Sequence, residues 1–161
     1  MSFNAKLALF AILILAACTA QNAYVVRPEK LQDAAYFKGT DVREGLFSDW
    51  LSVDISAVDG QPISGPAPRA SYAKGRPIEA GEHTVLLKCD GSESMVSYVA
   101  YGQMQMVFEP GAIYVVKARP SVDKVVFWLE RQDTKEKVAE VTAPRSVRAG
   151  GTYFVPIVIK K

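Results

Sequence analysis

From Trp50 onward the apolar residues of this chain recur at every second position. In the run WLSVDISAVDG, residues 50–60, Leu51, Val53, Ile55 and Ala57 alternate with Ser52, Asp54 and Ser56. Neighbouring side chains of an extended strand point to opposite faces. The run therefore predicts a strand with one buried face and one wet face. A helix would scatter the same residues around its whole circumference. Asp59-Gly60 closes the run with residues that tolerate a positive φ.

The same period returns further on. In AGEHTVLLKCDG, residues 80–91, a turn at Gly81 leads into a strand with His83, Val85, Leu87 and Cys89 on one face. Residues 94–111 predict a long strand, or two strands kinked at Gly102. One of its faces carries Val96, Tyr98, Ala100, Met104, Met106 and Phe108; the other carries Ser97, Val99, Tyr101, Gln103 and Gln105. Pro110-Gly111 turns into a strand with Tyr114, Val116 and Ala118 on one side. DKVVFWLERQD (123–133) and EKVAEVT (136–142) read as a hairpin, and GGTYFVPIVIKK (150–161) as a final strand. Pro156 and the terminal lysines of that last run are the means by which an edge strand is blunted. The Pro-rich segment 61–77 reads as a long loop with a short edge strand at Ala70 to Tyr72. About seven strands joined by Gly, Pro and Asp turns predict an all-β antiparallel sandwich, or an open barrel, over residues 48–161.

The chain begins differently. One lysine, Lys6, precedes an unbroken apolar block from Leu7 to Ala17. A membrane-spanning helix needs roughly 20 apolar residues, so this block is too short to span. A basic start, a short apolar core and small residues after it are the pattern of an export signal. The block ends in Leu15-Ala16-Ala17-Cys18, which resembles the lipobox of bacterial lipoproteins. The residue types suit the chemistry: small side chains expose the peptide bond to a protease, and only a thiol can form the thioether.

The resemblance implies that residues 1–17 are a lipoprotein signal peptide. Cys18 would carry a diacylglycerol on its sulfur and become the acylated N-terminus. Two or more acyl chains anchor a protein stably without a transmembrane segment. Thr19, where an aspartate would retain the protein at the inner membrane, implies the outer membrane. Residues 18–47 then read as a lipidated N-terminus and tether. Within it, Leu31, Ala34 and Ala35 of EKLQDAAYF predict two turns of helix ended by Gly39.

With Cys18 modified, Cys89 is left unpaired. Three fates are open to it: a buried apolar side chain, an intermolecular disulfide, or a reactive thiol. The charge is nearly balanced, 19 basic against 17 acidic residues, with no basic stripe, which argues against a nucleic-acid partner.

Catalytic constellations are sparse. An enzyme would have to use His83, the one histidine. His83 and Cys89 are six residues apart on one predicted strand, about 20 Å at the rise of a β-strand, which is too far for a dyad. The sequence holds no G-x-S-x-G elbow, phosphate loop, or zinc or calcium motif, so no metal or cofactor is expected. Asp54, Asp59, Asp90 and Glu93 read as scattered, solvated carboxylates. Tyr98, Tyr101, Tyr114, Phe127 and Trp128 lie on the central strands. Such aromatics build a sandwich core, or a face that stacks sugar or grips peptide. Tyr101 and Trp128 are the candidates for a binding face, Tyr101 because it sits among Ser97 and Gln103.

VDGQPI (58–63) followed by IEAGEHTVLLKC (78–89) is similar to the PEGA-type module of bacterial surface proteins. That resemblance implies a small Ig-like or PEGA-like sandwich at the cell envelope and brings no ligand with it. Together these features predict a non-catalytic, outer-membrane-anchored binding or assembly component of the envelope. Its partners would be the membrane and an envelope protein or, in the alternative, peptidoglycan or another glycan.

Overall fold

The alternating runs fold as strands of two packed sheets. The computed structural model describes residues 23–43, 49–63, 75–94 and 96–147. Among them, six strands are eight residues or longer: β3 (Trp50–Val58), β6 (Gly81–Glu93), β7 (Val96–Phe108), β8 (Ile113–Pro120), β9 (Lys124–Arg131) and β10 (Lys137–Pro144). The first four were predicted from their period, and β9 and β10 as a hairpin. β7 runs unbroken through Gly102. Five shorter strands bring the total among the described residues to eleven rather than about seven: β1 (Ala35–Lys38), β2 (Thr40–Arg43), β4 (Gln61–Pro62), β5 (Arg76–Ile78) and β11 (Ser146–Val147). Two to four residues are too few to display a period.

One sheet has the order β10-β9-β8-β1-β5; the other has β11-β7-β6-β3-β2, with β4 added to β3. Among these strands every pairing is antiparallel except β1 on β8, where Phe37 lies beside Tyr114. The core forms where the inward faces meet. Val53, Ile55, Val85, Leu87, Cys89 and Phe108 of one sheet are buried together with Phe37, Tyr114, Val116, Phe127 and Leu129 of the other. Gly102 faces inward, where an added Cβ would come within 2.9 Å of Phe127 and Val141. That glycine lets the second sheet approach.

The region before residue 48 departs from expectation. Pro28–Asp33 is a 3₁₀ helix, and the two turns of helix over Leu31 to Ala35 do not form. Ala35 and Phe37 are instead fully buried in β1, between β8 and β5. A helix of two turns is marginal alone, whereas β1 gains two strand partners and a place in the core. The tether expected over 18–47 is thus corrected for its described part: residues 24–43 belong to the sandwich. Among the described residues no helix is long and apolar enough to cross a membrane. The expected signal peptide, Cys18, and the strands expected at Ala70 to Tyr72 and at 150–161 lie outside the described residues.

Candidate functional site

Alternation sends Ser52 and Asp54 of β3, Lys88 and Asp90 of β6, and Tyr101 and Gln103 of β7 to the outer face of the second sheet. Register then groups them. Ser52 lies opposite Asp90, Asp54 opposite Lys88, and Lys88 opposite Tyr101. A bulge between Ile55 and Ala57 inserts Ser56, whose hydroxyl donates to the Leu86 carbonyl at 3.0 Å. Bulges bend and twist the strand that carries them. Here the result is a cleft of about 300 Å³, bordered by Ser52, Asp54, Ser56, Ile63, Lys88 and Asp90.

The cleft is electrostatically uneven. Lys88 pairs with Asp90 at 2.7 Å. Asp54 accepts the Ile55 N–H at 2.8 Å. Burial pushes its carboxyl up to about 6, against the opposing pull of that hydrogen bond and of Arg76. Asp54 was expected to be solvated; it is instead half-buried in the cleft. Hydroxyls and carboxylates at this spacing can accept hydrogen bonds from a hydroxyl-rich ligand. Below about pH 6 Asp54 can also donate one.

The two aromatic candidates do not share this face. Tyr101 is half-buried beside the cleft. Trp128 is half-buried on the outer face of the other sheet, opposite Lys117 and Glu140, with the Lys137 Nζ 5.3 Å above its ring. The two outer faces point away from each other, so Tyr101 and Trp128 cannot contact one compact ligand.

His83 and Cys89 both lie on β6, as predicted, and remain apart. His83 Nδ1 is 2.6 Å from Asp59 Oδ2, while Asp59 Oδ1 accepts the Thr84 N–H at 2.9 Å. Asp59 and Gly60 both adopt positive φ, 48° and 76°, in the two-residue turn between β3 and β4. The two segments that resemble the PEGA module are therefore brought together, with the histidine of one holding the aspartate turn of the other. Cys89 is fully buried. Burial first, and Asp90 second, push its thiol up to about 12. Of its three possible fates, burial is the one realised.

Two clusters escaped the sequence reading. Arg145 links β10 to β11 where the chain changes sheets. Its guanidinium lies 3.9 Å over the Tyr98 ring and donates to Glu93 at 2.7 Å and to the Ser121 carbonyl at 2.9 Å. At the other end of the sandwich, Arg27 Nε and Nη2 grip Glu79 at 3.0 and 2.9 Å. Both join residues more than fifty positions apart, and no local pattern announces them. Among the described residues no group of three metal-ligating side chains forms.

No protein-family model, no curated protein and no solved structure matches this chain.

Proposed function

We propose that this chain is a lipoprotein held on the outer membrane through Cys18, and that its sandwich is a non-catalytic binding or assembly component of the bacterial envelope. The observation that carries the reading is Leu15-Ala16-Ala17-Cys18 at the end of the Leu7–Ala17 apolar block. The arrangement of the nucleophilic groups supports it. Cys89 is sealed in the core, and His83 is held by Asp59 far along the same strand. Replacing Cys18 by alanine should abolish processing and release the chain from the membrane fraction. Unchanged processing and attachment in Cys18→Ala would refute the anchor.

A second reading is a peptidoglycan or glycan binder. What favours it is the cleft of hydroxyl and carboxylate groups with Tyr101 at its side. Purified peptidoglycan should retain the wild-type chain and lose Tyr101→Ala. Equal retention of both, or of neither, removes this reading.

A further inference from the structure

The chain joins the sandwich with little slack. The Tyr24 N–H donates to the Pro62 carbonyl at 2.8 Å, and the Tyr24 hydroxyl accepts the Glu79 N–H at 2.9 Å. Val26 is buried, and Arg27 closes on Glu79. Residues 24–27 are thus fastened to the end of the sandwich that carries the Asp59-Gly60 turn. Six positions separate Tyr24 from Cys18, and six residues of chain reach at most about 22 Å. A domain of this size has a radius of gyration of about 14 Å, so its full width exceeds that reach. An anchor at Cys18 therefore decides which end of the sandwich meets the bilayer.

That end is apolar where it should be wet. Val25 is 74% exposed and Leu31 is 44% exposed. Both border a largely apolar hollow of about 310 Å³ shared with Tyr24, Val26, Phe37, Ile63, Arg76 and Pro77. Nearby charge is balanced: Glu79 neutralises Arg27, and Lys30 and Arg76 stand against Glu29 and Asp33. Nothing in this arrangement selects an anionic headgroup. Two apolar side chains are too few to bind a membrane unaided. On a short leash, however, the bilayer is present at a very high effective concentration.

We infer that this corner rests on the bilayer that holds Cys18, with Val25 and Leu31 set among the lipid headgroups and upper acyl chains. The inference depends on the lipid-anchor reading above. Its test uses the full chain, made in a bacterial host, purified in detergent and reconstituted into phosphatidylcholine vesicles. Mass spectrometry of the N-terminal peptide first establishes whether Cys18 is acylated. Nitroxide labels then go on Val25→Cys, Leu31→Cys and Val122→Cys, the last on the 95%-exposed turn at the opposite end. The Cys18 sulfur is consumed by the thioether and Cys89 is buried, so only the introduced thiol takes the label. Relative accessibility to oxygen over an aqueous nickel chelate should shift toward lipid at 25 and 31, not at 122, and should be unmoved by salt. An acylated chain whose labels at 25 and 31 remain as aqueous as the one at 122 overturns the docking and leaves the anchor standing. A chain without acyl groups on Cys18 overturns both.

Discussion

Asp54 gives the sharpest test of the cleft. Its carboxyl titrates near 6 in the folded chain, raised by burial from an ordinary 3.8. Below 3.8 both folded and unfolded states hold the proton; above about 6 both have lost it. Between those values the folded state binds more protons, so stability falls as pH rises through the window. At about 1.36 kcal/mol per pKa unit the full loss is about 3 kcal/mol. Asparagine has the same shape, keeps an oxygen for the Ile55 N–H and carries no charge to desolvate. Asp54→Asn should therefore match wild type near pH 4 and exceed it by about 2–3 kcal/mol at pH 7.5. Urea unfolding between pH 4 and 8 measures the difference. Other carboxylates act in the opposite sense. Arg27 holds Glu79 down at about 2. At Asp59 burial raises the pKa, but the His83 and Thr84 hydrogen bonds leave it below its ordinary value. Their stabilisation is present above the ordinary carboxylate range and is lost as pH falls through their lowered values. Both groups are common to the two proteins and cancel in the comparison. A difference that stays constant across the range, or an Asp54→Asn variant that is less stable than wild type at pH 7.5, would refute a carboxyl whose desolvation outweighs its hydrogen bond and the pull of Arg76.

Other expectations rest on the core. A Cβ at Gly91 would overlap the Tyr98 hydroxyl and ring, over which Arg145 lies. Gly91→Ala should cost about 1–3 kcal/mol, the range for overpacking. Adding Tyr98→Leu should recover part of that loss, and strictly additive effects would show that the two sites do not touch. Cys89, with its thiol near 12, has about one part in ten thousand as thiolate at pH 8. A thiol-specific dye should modify Cys89 only as fast as the domain unfolds; modification within minutes in native buffer would contradict its burial.

The fold was legible where strands are long. In β3, β6, β7 and β8 the period of two identifies most of the inward residues of the core, though Val99 of β7, read on the polar face, is buried and Val96 is exposed; Asp59-Gly60, Gly81 and Pro110-Gly111 mark turns that form. It was illegible before residue 48. β1 holds only four residues, and its neighbours in space, β5 and β8, come much later in the chain. Local propensity favoured a helix there because nothing local records that Ala35 and Phe37 have a core to enter.

The cleft shows the same limit in its chemistry. Parity correctly puts Asp54, Lys88 and Tyr101 on wet faces. Parity does not say which wet face, because a strand's period is unchanged by the sheet it joins. β7 and β9 were both read correctly, yet the turn after Phe108 carries the chain into the opposite sheet. Tyr101 and Trp128, named as candidates for one binding face, thereby end on opposite surfaces. The environment of Asp54 has a similarly remote origin. The presence of Lys88 opposite it, engaged with Asp90, and the field of Arg76 come from register and from distant segments. A side chain's direction is set by its immediate neighbours along the strand. Its pKa, and the ligand it can hold, are set by whatever the topology brings alongside.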